Sequence, residues 1–235
     1  MISATAAWHG RLMVLAWTIL LPLGILVARF FKVTPAQAWP ERLDNKWWWH
    51  AHLALQISGV GCMVFAVGIV WFKTGRTAFG HSVHATLGWL VVILSCLQLL
   101  SGYLRGSKGG PAQLGDGGVD PSRSQHGDHY DMTRRRNAFE WVHKVGVYLA
   151  LIVSFVVTGL GLRSVHAPVW MWLTIALWWT AVLAIAAALQ RAGRCIDTYQ
   201  AIWGPDPRHP GNSRALIGWG IRRYSAAGYA ERFRH

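Results

Sequence analysis

The stretch from His81 to Gly102, HSVHATLGWLVVILSCLQLLSG, carries no Lys, Arg, Asp or Glu, and its 22 residues are enough to cross a bilayer core that asks for about 20. Two of its residues are out of place in a span that only faces lipid. His84 lies near the start and Gly102 near the end, 18 positions apart. Eighteen residues are five full helical turns, so imidazole and glycine share one face at a separation of about 27 Å. The same interval recurs in another apolar stretch, where His143 is followed by Gly161. Two more apolar stretches open with His9 and with His50 and His52. A chain that repeats this pattern is restricted to a bundle of membrane helices with histidines at defined depths.

Composition agrees. Charged residues make up 14% of the chain, against about 25% in soluble domains, and the mean hydropathy is +0.27. The net charge of +13 comes from Lys and Arg placed between the apolar stretches and after the last one. That is the distribution of a membrane protein obeying the positive-inside rule, and it calls for no nucleic acid. Cys62, Cys96 and Cys195 are too far apart for a CxxC metal site or a CxxCH attachment and read as packing residues. No small-residue cleavage site follows the first apolar stretch, which therefore reads as a retained span and not a signal peptide.

The predicted fold is an all-α membrane protein of five transmembrane helices, the first four forming a four-helix bundle. The spans are expected at residues 8–31, 47–72, 81–104, 139–162 and 168–189, with Pro22 kinking the first and Trp47 to Trp49 lying in an interfacial belt. Residues 1–190 form the transmembrane domain and residues 191–235 a basic tail, whose segment RALIGWGIRRYSAAGYAERF mixes apolar and basic residues as surface-lying segments do. Most Lys and Arg lie after spans one and three and in the tail, so the amino terminus is expected outside and the tail in the cytoplasm. The expected location is a bacterial inner membrane. In this orientation His9 and His84 lie at the outer depth, and His52 and His143 at the inner depth.

Histidines paired in this way suit b-type haem. An iron that takes one imidazole from each face of the porphyrin is six-coordinate and suited to electron transfer, and facing helices of a bundle supply such pairs. The expected pairs are His9 with His84 and His52 with His143. Gly102 and Gly161 would allow close backbone approach at the depth of the opposite haem. His50 competes with His52, and His81 with His84, because residues two or three apart point in different directions. Gln56 and Gln98 are polar groups at membrane depth that would hydrogen-bond a haem, an imidazole or a neighbouring helix. Arg11 on the outer side, and Arg29, Arg105 and Lys144 on the inner side, are candidates for haem propionates or for snorkelling to lipid headgroups. In the long loop 105–140, His126, Asp128, His129 and Asp131 match no metal template and read as a solvated polar segment. Arg134 to Arg136 read as a topology signal that would also attract an anionic reductant.

These motifs resemble the cytochrome b561 superfamily, in particular the five-span core that in many members follows an extracellular DOMON domain. HGRLMVLAWTILLPLGILVARF resembles the first core helix, with its HG, LP-x-G and AR. HLALQ resembles the H-x-x-x-Q of the second, which selects His52. HATLG and the later Gln98 resemble the third, which selects His84. WVHKVGVY resembles the fourth, although Gly146 here falls three residues after His143 and not four. The resemblance covers about residues 8–190. It implies two non-covalent, bis-histidine haem b groups and electron transfer across the membrane. The implied donor is a cytoplasmic-side reductant, ascorbate-like or quinol. The implied acceptor lies outside: a ferric chelate, monodehydroascorbate or a partner redox protein, expected here as a separate chain because the sequence shows no DOMON domain. Membrane lipid and a second copy of the chain complete the expected partners. Two other readings compete: a quinone-linked cytochrome b anchor of a larger complex, and a haem-free transporter that uses histidines for protons or metal.

Overall fold

The computed structural model describes residues 2–74, 82–113, 119–120 and 125–233. Five helices in it are long and apolar enough to cross a membrane: α1 (Ala4–Phe30), α2 (Trp47–Thr74), α3 (Val83–Tyr103), α4 (Arg134–Ser164) and α5 (Val169–Arg191). Lipid can host these helices because their outward residues are apolar. Phe65, Ile152 and Leu177 are each about two-thirds exposed, a large loss in water and none in hydrocarbon. Two short helices follow, α6 (Thr198–Trp203) and α7 (Ala226–Phe233). Ala112–Gln113 and Val119–Asp120 form a two-residue antiparallel ladder.

The chain divides into two compact units. The first contains Met1–Leu26, Ala51–Leu99 and Gly146–Ala188. Its core gathers Ala16, Trp17 and Leu21 of α1 with Met63 of α2, Val91 of α3 and Ala150 of α4. The Ser95 hydroxyl donates to Val91 O at 2.7 Å, which leaves it satisfied inside that core. Residues 15–20 of α1 widen into a π turn, in which the Leu21 N–H reaches back to Ala16 O. Pro22 lies just beyond, and α1 runs through it to Phe30. Proline has no N–H to give to the carbonyl four residues earlier, that of Thr18. The indole N–H of Trp178 on α5 donates to this carbonyl instead, at 2.6 Å. The distortion expected at Pro22 thus takes the form of a π turn plus a side-chain donor from another span.

The second unit contains Val27–His50, Leu100–Val145 and Leu189–His235. Here the basic tail is folded. Ile196, Ala201 and Tyr229 are buried with Val33 and Trp39, and Tyr199 and Trp203 are buried with Met132. Backbone carbonyls are capped by side chains across the unit: Lys32 Nζ donates to Ile196 O at 2.9 Å, Arg194 Nη2 to Val33 O at 2.5 Å and Trp39 Nε1 to Gln200 O at 3.2 Å. Asp197 caps α6 and forms a salt bridge with Arg223 Nε at 2.6 Å.

Helix α4 begins at Arg134, five residues before the apolar run that marked it in the sequence. The Thr133 hydroxyl accepts from the Arg136 N–H at 3.3 Å, an N-cap, so the three arginines form the first turn. Arg136 Nε then meets Glu140 Oε1 one turn later at 3.0 Å. Apolar periodicity cannot register a helical turn built from charges.

Candidate functional site

In the first unit His9 and His84 come together, their ring centroids 6.2 Å apart and their planes at 78°. Each ring is held from behind. His9 Nδ1 donates to Ala66 O on α2 at 3.0 Å, and His84 Nδ1 donates to Val157 O on α4 at 3.1 Å. A carbonyl can only accept, so each Nδ1 carries the proton and Nε2 carries the lone pair. A backbone acceptor on the far nitrogen is the usual support of a metal-ligating histidine.

The distance fits as well. Two imidazoles bound to one metal from opposite sides, with metal–nitrogen bonds of about 2.0 Å and roughly 1.1 Å more to each ring centre, stand about 6.2 Å apart. Among the described residues no three His, Cys, Asp or Glu side chains gather as a bare metal ion would need. A porphyrin brings four nitrogens of its own and asks the protein for only two ligands.

Gly161 of α4 lies against this pair. A Cβ there would stand 3.0 Å from His84 Cε1 and 3.4 Å from Nδ1, so the imidazole occupies the space a side chain would take. Val157, whose carbonyl holds the same ring, is one turn earlier on α4. Gly102 differs: no heavy atom lies within 4 Å of a Cβ built there.

His52, also in the first unit, follows the same rule, its Nδ1 donating to Gly24 O at 3.0 Å. Gln56, one turn on, donates from Nε2 to Leu21 O at 3.1 Å, and a Cβ on Gly24 would overlap the Gln56 amide. Gly24 therefore serves both residues, as acceptor for one and as space for the other. In the second unit the His143 ring packs on Phe139, with centroids 5.1 Å apart, and its Nδ1 is hydrogen-bonded to the Ser101 hydroxyl at 3.0 Å.

The description "Eukaryotic cytochrome b561" belongs to a family model that matches residues 8–105, a region holding His9, His52 and His84. A cytochrome b561, DM13 and DOMON domain-containing protein of Arabidopsis thaliana is 28% identical over 156 residues, 66% of this chain and 14% of that protein. Over its first three spans the chain is similar to cytochrome b561 proteins. A further cytochrome b561 and DOMON domain-containing protein of the same plant is 31% identical over 101 residues, 41% of this chain and 22% of that one. Ferric-chelate reductase 1 of Bos taurus is 26% identical over 163 residues, 68% of the chain and 23% of its own length. The chain thus spans between about a seventh and a quarter of the length of these relatives. No solved structure matches it significantly.

The remaining candidate residues have partners in the protein. Arg11 lies over the Trp8 ring at 5.1 Å and Arg105 over the Trp49 ring at 4.1 Å. Arg29 donates to Gln190 Oε1 at 2.9 Å and to Trp219 O at 2.8 Å. Lys144 Nζ meets Glu140 Oε2 and Ile217 O, both at 2.6 Å. Gln98 fills the space beside Gly146, where a Cβ would overlap its amide. His50 is exposed, and His81 lies outside the described residues.

In the long loop, the Asp128 carboxylate accepts from the Ser107 N–H at 3.0 Å and the Thr133 hydroxyl at 2.7 Å. His126 and Asp131 pair at 3.3 Å. His129 departs from the solvated segment expected: it is 5% exposed, packed on Trp203 with ring centroids 4.7 Å apart, and its Nε2 accepts from Arg136 Nη2 at 3.1 Å. Burial, then the Arg136 charge, hold this imidazole well below its usual pKa.

Sequence reasoning missed the backbone acceptors of Ala66 and Val157, and also Ser101. Any residue can supply a carbonyl, so side-chain identity carries no trace of the first two. Gly24 was visible as the glycine of LP-x-G, but its service to both His52 and Gln56 was not.

Proposed function

We propose that the chain carries electrons across a membrane through two b-type haems, one held by His9 and His84 and the other by His52 and His143. The observation that carries the reading is the His9–His84 pair, 6.2 Å between centroids with both Nδ1 atoms turned back onto carbonyls. The matching tether of His52 to Gly24 supports the second pair. Haem b held by these histidines would supply an iron that takes up and gives back one electron.

The protein's part is to fix the ligands. Carbonyl tethers set the tautomer and the ring direction of His9, His52 and His84, and the Ser101 hydroxyl steadies His143. The missing side chain of Gly161 gives the His84 imidazole its room. Residues 1–190 carry this path and residues 191–235 form the tail. The amino terminus is outside and the tail inside, as the distribution of Lys and Arg supports. Electrons enter from an ascorbate-like or quinol donor on the inner side and leave to an outer ferric chelate, monodehydroascorbate or redox protein. The plant and bovine relatives, named for cytochrome b561 and for ferric-chelate reduction, support an electron-transfer role.

A pyridine haemochrome assay with a reduced-minus-oxidised spectrum, normalised to protein, tests the reading. Two b haems per chain are expected. His9→Ala or His84→Ala should remove one, and His52→Ala or His143→Ala the other. A single haem in the unaltered protein would break the path, and none in protein produced with ample haem would refute the reading.

A further inference from the structure

Within the second unit, residues 214–222 form an irregular segment whose backbone is pinned by three side chains. Arg29 Nη2 donates to Trp219 O at 2.8 Å, Gln190 Nε2 to Gly220 O at 2.7 Å and Lys144 Nζ to Ile217 O at 2.6 Å. Arg29 and Gln190 are the next-to-last residues of α1 and α5, and Lys144 directly precedes the uncharged run 145–162 of α4. Spans one and five end on the face where span four begins, so all three anchors mark one boundary of the apolar layer. A segment held at that level needs its carbonyls satisfied, because the acyl region supplies no donors.

The side chains point the other way from what folding in water favours. Trp219 is 64% exposed and Leu216 41%, whereas Trp39, Tyr199, Trp203 and Tyr229 of the same unit are all below 5%. Arg214 and Arg222 flank the two apolar residues, both are exposed, and among the described residues neither forms a salt bridge. Indole at the boundary between water and acyl chains, with guanidinium groups beside it, is the composition that binds lipid surfaces. Free guanidinium groups at headgroup level select negative charge.

We infer that this segment is a strap embedded in the bilayer interface, with Trp219 and Leu216 among the acyl chains and Arg214 and Arg222 binding anionic phospholipid headgroups. The inference does not depend on haem.

The test uses the full chain with Leu216→Cys carrying an environment-sensitive fluorophore, in a Cys62→Ala, Cys96→Ala background that leaves the buried Cys195 in place. The protein is reconstituted in phosphatidylcholine vesicles with and without phosphatidylglycerol. A nitroxide high on the lipid acyl chain should quench the probe, and aqueous iodide should not. As a second measurement on the otherwise unaltered chain, Arg214→Gln and Arg222→Gln should each lower the association of spin-labelled phosphatidylglycerol, relative to phosphatidylcholine, about fivefold. Quenching by iodide would overturn the inference, and so would a probe shielded from both quenchers, which would mean the strap packs on protein. Lipid quenching with the same preference for phosphatidylglycerol in both arginine variants would overturn the anionic-lipid assignment.

Discussion

Replacing Gly161 by alanine puts one methyl group where the structure has the edge of His84. The new Cβ would stand 3.0 Å from Cε1, so reaching an ordinary contact of about 3.5 Å or more requires half an ångström of movement. The ring cannot move freely, because Nδ1 is tied to Val157 O at 3.1 Å on the same helix, one turn before. Overpacking of this kind costs about 1–3 kcal/mol. Set against haem bound through His9 and His84, that is roughly a fivefold to hundredfold loss of affinity. A ligand set tolerates only about 0.5 Å of misplacement.

The assay is haem per chain by pyridine haemochrome during titration with a competing apoprotein, together with the redox midpoint of each haem. Gly161→Ala should weaken or shift one haem and leave the other unchanged. Gly159→Ala is the matched control on α4, since a Cβ there meets only Trp172 at 3.7 Å, an ordinary contact. If both alanine variants keep two haems with unaltered midpoints and affinities, Gly161 does not make room for a ligand and the reasoning fails.

Other perturbations test the units separately. Burial holds the Lys32 ammonium down to about 8 from 10.5. The unfolded chain therefore binds the extra proton between those values, and stability should rise with pH from 8 to 10.5, by at most about 3 kcal/mol at about 1.4 kcal/mol per pH unit. Thermal melts in detergent should show this rise in the unaltered protein and not in Lys32→Met. His129, buried and neutral, should contribute stability that is present above about pH 6.5 and lost as the pH falls below it. A His129→Gln variant whose melts fell with acid as steeply as those of the parent would contradict this. Trp178→Phe removes the donor to Thr18 O and should cost about 1–2 kcal/mol, read as a lower melting temperature with haem content retained.

What the sequence discloses depends on the physical signal. An uncharged run of some 20 residues has one solution in a bilayer, so five helices could be read directly and their ends lie within a few residues of expectation, except at α4. There the first turn is Arg134 to Arg136, whose cap at Thr133 leaves no apolar trace. The meeting of His9 with His84 was legible because equal depth on alternating spans is a matter of counting. The tail was legible only as basic. Its folding rests on Ile196, Tyr199 and Trp203 meeting Val33, Trp39 and Met132, contacts between segments far apart in the chain that no local pattern encodes. Arg29 and Lys144 were legible as cations near a membrane face, but nothing in the sequence indicates that they hold the carbonyls of residues 217 and 219.

The bond from Trp178 to Thr18 also has a meaning in time. Its two ends are 160 residues apart, and at synthesis rates of about 5–20 residues per second the first span waits roughly 10–30 s for the indole that caps it. During that interval α1 sits at mid-depth with a carbonyl its own proline cannot serve. The span made first is completed by the span made last, and a nascent chain halted before Trp178 keeps that polar group without its indole partner.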